Sequence, residues 1–226
     1  MQTILFDIDG TLIQSGGAGQ IAMQQAMREL FEIESLPAVD VHGRTDHWIF
    51  HQLFSAVQLD YNQHASCFNH RYWENLAKTM PLLEGQILPG VSETLAHLTT
   101  KTGIALGLLT GNAQPAATIK LEYFQLDSYF KFGGYGDADL ERAAVARLAW
   151  QSAREHLHDQ FDASNVWVIG DTIHDIACAR AIGSRVIAVE TGGASRNQLE
   201  MAQPDAILPT LNLEQLLEIL GSTSQT

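Results

Sequence analysis

Asp7 and Asp9 stand two positions apart in LFDIDGTLI (residues 5–13), where an apolar run stops. In a strand, residues i and i+2 point to the same face, which makes the two carboxylates near neighbours. Two like charges about 4 Å apart repel by roughly 1 kcal/mol in water and about 4 kcal/mol at an effective dielectric of 20. A cation, or a proton held on one oxygen, must offset that repulsion, so the pair has the chemistry of an acid–base or metal site. Asp9-Gly10 is also a common hairpin-turn dipeptide, and these nine residues fit a hairpin equally well.

A second acidic pair lies in VIGDTIHDIACARAIG (168–183), where Asp171 follows an apolar run and Asp175 comes one helical turn later. Helix capping by Asp171 or Thr172 explains one of these acids. It leaves Asp7 and Asp9 unexplained. Two acidic clusters at two strand ends suggest a magnesium site, because hard oxygen ligands suit that ion. LLTGN (108–112) adds the Thr110 hydroxyl and the successive amides of Gly111 and Asn112, ahead of a helix starting near Gln114-Pro115. A helix N-terminus of this kind binds anions, although Thr-Gly-Asn is also an ordinary turn and cap.

The elements that must position these groups follow from the apolar pattern. Short β-rich runs at 3–8, 103–110, 129–134, 165–171, 184–191 and 205–209 alternate with helical patterns at 91–101, 112–125, 139–158, 173–182, 194–202 and 212–220. Continuous apolar runs suit strands buried on both faces, and their alternation with helices predicts an α/β, doubly wound, Rossmann-like parallel sheet. Ligands of such sheets sit beyond the carboxyl ends of the strands, where Asp7, Thr110 and Asp171 fall. Residues 16–86 break the rhythm with three helical periodicities, at 20–31, 45–57 and 62–80, and no convincing strand. Turn-rich SGGAG (15–19) and LEGQILPGV (83–91) bound this stretch. The expected division is a core of residues 1–15 and 87–226 with an inserted all-helical domain of residues 16–86, and a frayed tail at 221–226.

Composition narrows the partners. A formal net charge of −13 argues against nucleic acid and anionic membranes, so an anionic substrate needs a metal or a few placed cations. Two distant cysteines, Cys67 and Cys178, suggest neither a disulfide framework nor a zinc site, as expected of a cytoplasmic protein. Asp7 interrupts the first apolar run too early for a signal peptide, and no run approaches the roughly 18 apolar residues of a membrane span.

Taken in order, DIDGT, LLTGN and GDTIHD resemble the motifs of the haloacid dehalogenase-like hydrolase superfamily, and the likeness covers almost the whole chain. It looks closest to the phosphoglycolate-phosphatase-like branch, whose type-1 helical cap corresponds to the insertion. The resemblance implies a phosphatase acting on a small phosphorylated metabolite, with Asp7 as nucleophile forming an aspartyl-phosphate. Asp9 would be the general acid and then the base. Mg²⁺ would be held by Asp7, the Asp9 carbonyl and Asp171, with Asp175 direct or through water. Thr110, Gly111 and Asn112 would bind the phosphoryl oxygens. The family expects a lysine after the third strand. Residues 132–149 contain none, leaving Arg142 at a helix start as the substitute and Lys120 as a fallback.

VHGRTDHW (41–48) resembles a substrate-facing cap segment, in which Arg44 would meet the distal part of the substrate and Thr45 or Asp46 would cap the next helix. His47 and His51 have the spacing of two helical ligands, but the neighbouring apolar residues favour surface or interface histidines. A dehalogenase would lack Asp9, and a phosphonate hydrolase would need a cap lysine, of which Lys78 is the only one. A sugar-phosphate mutase shares both aspartates and the cap. A phospho-receiver module carries similar acids but no helical insertion after the first strand. The oligomeric expectation is a monomer or homodimer.

Overall fold

The computed structural model describes residues 1–137 and 141–222 of the chain. Six strands form the main sheet: β1 (Gln2–Phe6), β4 (Ile104–Leu109), β5 (Gly133–Gly134), β6 (Val166–Gly170), β7 (Arg185–Val189) and β8 (Ala206–Leu208). Their order is β5-β4-β1-β6-β7-β8, and every pairing is parallel. The expected doubly wound α/β core is present. Alternate residues of β1 serve opposite layers. Ile4 and Phe6 join Leu106, Leu108, Trp167 and Ile169 on one side, while Leu5 joins Leu109, Val166 and Val168 on the other. Burial on both faces is why these runs read as continuously apolar.

Helices α4 (Val91–Thr99), α5 (Gln114–Tyr123), α6 (Arg142–Leu157), α7 (Ile173–Ala181), α8 (Arg196–Met201) and α9 (Leu213–Ser222) cover the sheet. The pattern predicted from residue 139 begins outside the described residues, and α6 starts at Arg142. Of the tail expected to fray, Gly221 and Ser222 close α9, and residues 223–226 lie outside the described residues. No described helix is long and apolar enough to cross a membrane.

The hairpin reading of Asp9-Gly10 fails on topology. Strand β1 has parallel partners on both edges, so no edge remains for a returning strand. The dipeptide does make a turn. Gly10 sits at φ 81°, and the Ile8 carbonyl accepts from Leu12 and Ile13 at 2.9 and 3.1 Å. After it, β2 (Ile13–Gln14) pairs antiparallel with β3 (Gln86–Ile87), joining the two places where the chain leaves and rejoins the core. Two-residue strands carry too little alternation to be read from sequence.

Between them lie α1 (Ala18–Phe31), α2 (Asp46–Ala56) and α3 (Tyr61–Thr79), packed around their own apolar cluster of Met27, Phe50, Phe54, Phe68, Tyr72 and Leu76. Ala116 of α5 belongs to the same cluster. Helix α5 is therefore the surface on which the inserted helices rest.

Candidate active site

Three carboxylates meet beyond the ends of β1 and β6. Asp7 follows β1 directly, its N–H still bonded to the Ile169 carbonyl at 2.9 Å. Asp171 follows β6, and its oxygens accept from Thr11 Oγ1 at 3.3 Å and the Gly193 N–H at 2.9 Å. Thr172 caps α7, and Asp175 closes a capping box by accepting on Oδ2 from the Thr172 N–H and Oγ1 at 3.0 and 2.7 Å. Ligand atoms of Asp7, Asp171 and Asp175 all lie within 4.8 Å of one another, and all three residues are buried. Capping and clustering are thus the same arrangement, not alternatives.

Arg142, buried at the first residue of α6, donates from Nη2 to Asp175 Oδ1 and lies 3.8 Å from Asp7 Oδ1. Burial followed by the Asp175 charge raises the Asp7 carboxyl well above its ordinary range, against the opposing pull of Arg142. Burial and Asp175 likewise push Asp171 up to about 7. Burial disfavours the Arg142 charge, but Asp175 and Asp7 outweigh it and hold the guanidinium protonated.

Asp9 lies outside β1, in the turn, and a second cation holds it. Lys120 Nζ is 2.6 Å from Asp9 Oδ2 and 2.6 Å from Asn112 Oδ1, while Asn112 Nδ2 donates to the same Asp9 oxygen at 2.8 Å. Burial raises the Asp9 carboxyl, but the Lys120 charge and the hydrogen bonds from Lys120 and Asn112 leave it lowered overall. Lys120, the fallback for the missing lysine, lies well along α5 and is only 5% exposed. A signal was available, since Ala116, Ala117, Lys120 and Leu121 fall on one buried stripe of α5.

Thr110 follows β4, and its N–H bonds to the Gly134 carbonyl at 3.1 Å. Its Oγ1 accepts from the Asn112 N–H and Nδ2 at 3.3 and 2.9 Å, which leaves its O–H free to donate. The Asn112 amide therefore faces Thr110, and the Gly111 N–H is the one left open among the described residues. A Cβ on Gly111 would collide with the Arg44 carbonyl and the Arg142 guanidinium, so only glycine lets these segments meet.

The segment from Arg44 to His47 docks the inserted helices on this loop. Asp46 N–H donates to the Gly111 carbonyl at 2.7 Å, and His47 N–H donates to the Gly136 carbonyl at 3.2 Å. Thr45 is the residue that caps α2, accepting from the Trp48 N–H at 3.0 Å. Asp46 instead accepts from the Ala113 N–H at 2.8 Å, at the start of α5, and burial raises its carboxyl to about 6. Arg44 stacks 4.5 Å over Trp48 and has no ion-pair partner among the described residues. His47 and His51 are half-buried, with ring centroids 5.5 and 4.7 Å from that of Tyr61. Asp7, Asp9, Asp171, Gly111, Asn112, Lys120, Arg142, Arg44 and Asp46 border one cleft of about 430 Å³, which Gln20, Met23, Ile49 and Tyr72 also line.

A family model for haloacid dehalogenase-like hydrolases matches residues 4–189. The chain belongs to that family. Among its relatives, a phosphoglycolate phosphatase from Synechococcus elongatus is 29% identical over 215 residues, covering 93% of each protein. Pyrophosphatase PpaX from Bacillus mycoides is 26% identical over 230 residues, covering 98% of this chain and 97% of the relative. Two solved structures share the fold. A hydrolase from Pseudomonas syringae superposes with a TM-score of 0.71 at 21% identity, over 96% of this chain and 98% of the other. CbbY from Rhodobacter sphaeroides, solved in complex with phosphate, gives 0.67 at 19% identity, over 98% and 99%.

In this haloacid dehalogenase-like hydrolase the donor chemistry fits a hard divalent cation. Asp7, Asp9, Asp171 and Asp175 formally carry four negative charges, and Arg142 and Lys120 return two, which leaves a deficit of two at the bottom of the cleft. The raised carboxyls of Asp7 and Asp171 express that crowding, and a divalent ion on oxygen ligands relieves it.

Proposed function

We propose that this hydrolase is a Mg²⁺-dependent phosphomonoesterase that cleaves a small phosphorylated metabolite through an aspartyl-phosphate on Asp7. The observation that carries the reading is the meeting of Asp7, Asp171 and Asp175 within 4.8 Å beneath a cleft that also holds Asp9 and two buried cations. The names of its relatives, phosphatases and a pyrophosphatase, support the same class.

Asp7 and Asp171 would hold the ion directly. Both oxygens of Asp175 already have donors, so it would act through water and by fixing Arg142. Bound there, magnesium supplies positive charge between an anionic nucleophile and an anionic phosphoryl group. The Thr110 hydroxyl and the Gly111 N–H bind phosphoryl oxygens, as does Arg142 at the edge nearest Asp7. Asp7 attacks phosphorus as the bond to the leaving oxygen breaks, and that oxygen takes the proton of Asp9. In the ligand-free site Lys120 keeps Asp9 ionised; an incoming phosphoryl dianion beside it favours the protonated acid. Water then attacks phosphorus, Asp9 takes its proton, and inorganic phosphate leaves with the Asp7 carboxylate restored.

A cleft of about 430 Å³ suits a small ligand. Arg44, without an ion-pair partner among the described residues, suits a substrate with a second anionic group distal to the phosphate. The test is turnover of p-nitrophenyl phosphate with Mg²⁺. Activity should vanish with EDTA and return with Mg²⁺, and Asp7→Asn should lower kcat by roughly a thousandfold or more. Full activity in Asp7→Asn would falsify the reading.

A further inference from the structure

Burying a lysine is costly unless its charge is fully paired, and an apolar side chain would serve the packing of α5 more simply. Lys120 is nevertheless placed with two acceptors at 2.6 Å, and the network it closes has a definite polarity. Its ammonium can only donate, so the Asn112 atom facing it must be the carbonyl oxygen. The Asn112 amide group is thereby turned toward Asp9 and Thr110. Asp9 Oδ2 receives both donors, and Oδ1 has none among the described residues while Asp9 borders the cleft. Arg142 takes no part, since it is committed to Asp175 and Asp7.

We infer that Lys120 is a positioning residue for Asp9: with Asn112 it anchors Oδ2, so that Oδ1 is the oxygen presented to the leaving group. This rests on the acid–base reading of Asp9 proposed above. In the first half-reaction the Oδ1 proton passes to the leaving oxygen as that oxygen takes the electron pair of the breaking P–O bond. In the second, Oδ1 receives a proton from the water that attacks the phosphorus of the Asp7 phosphate. Loss of the anchor leaves Asp9 free to rotate, and misplacement by about 1 Å can reduce a rate by about a hundredfold.

The experiment measures the first half-reaction by rapid quench in single turnover, with an alkyl phosphate and with p-nitrophenyl phosphate. The alkoxide needs a proton as it departs, and the nitrophenolate does not. In Lys120→Met the ratio of alkyl to aryl rate constants should fall by roughly tenfold or more, and an added small primary amine should restore it in part. Asn112→Ala removes the other donor to Oδ2 and should lower the same ratio, which serves if Lys120→Met does not fold. An equal slowing of both substrates, with no effect of amine, overturns the positioning role. A wild-type enzyme inactive on both, or an active Asp7→Asn, defeats the phosphatase reading instead.

Discussion

Where the motif pattern expects a single lysine, two buried cations, Arg142 and Lys120, face different acids. The guanidinium reaches both acids through one nitrogen, Nη2, bonded to Asp175 Oδ1 and 3.8 Å from Asp7 Oδ1, and its rigid plane fixes that nitrogen as the flexible ammonium of a lysine would not. The ammonium serves Asp9 from another helix. Replacing Arg142 with Met would strand Asp175 and Asp7 as buried charges. Losing one partner of a buried pair typically costs about 3–5 kcal/mol. Urea unfolding of metal-free Arg142→Met should show a loss of that order, and Arg142→Lys should recover only part of it; a loss within about 0.5 kcal/mol would mean that the acids are relieved by another group. Arg142 was legible as a candidate because a cation at a helix start, after the third strand, is where the pattern expects one. The choice between it and Lys120 was not legible, because it depends on which acid each one faces.

At the scale of elements, the contact between α2 and α5 turns on Asp46. It caps nothing in its own helix and instead accepts the Ala113 N–H, 67 positions away. Asp46→Ala leaves that buried donor without an acceptor, at about 1–3 kcal/mol. Asp46→Asn keeps an acceptor and removes the titration. The folded-state carboxyl, raised to about 6 by burial, binds a proton that the unfolded chain releases near its ordinary value of 3.8. Between about pH 4 and 6 the folded state therefore holds more protons, and the Asp46 contribution to stability falls as pH rises. Thermal melts across that window should show the stability of Asp46→Asn gaining on wild type with increasing pH. A constant gap would show that Asp46 is ionised throughout.

For the whole molecule, the formal deficit of two charges at the cleft should make stability depend on divalent cations. A ligand at a hundred times its Kd adds about 2.7 kcal/mol. For a chain of this size that is roughly 5–10 °C in Tm. Without metal, Asp171 at about 7, like Asp46, holds its proton longer in the folded state, so stability should decline from about pH 4 to 7. His174, lowered by burial and by Arg44, acts in the opposite direction near its ordinary value of 6.5. Mg²⁺ should raise Tm more at pH 8 than at pH 5, because protons compete for the same carboxylates. Asp171→Asn should abolish the shift; if calorimetry finds it intact, the ion is held elsewhere.

What the sequence determined by itself was the parallel core, the helical insertion and the acids at the ends of β1 and β6. Each is written in local periodicity, where an apolar run ends and the next residue must face the crevice. Even there the strand geometry of Asp7 and Asp9 was only half right, since β1 stops at Phe6 and Asp9 belongs to the turn. Tertiary structure alone decided the partners: Lys120 with Asp9 across 111 positions, Arg142 with Asp175 across 33, and the short β2–β3 pair that closes the insertion. A buried charge in a helix reads as a surface residue until the fold supplies its counter-charge. Local pattern can place a side chain on a face, but only packing decides what that face meets.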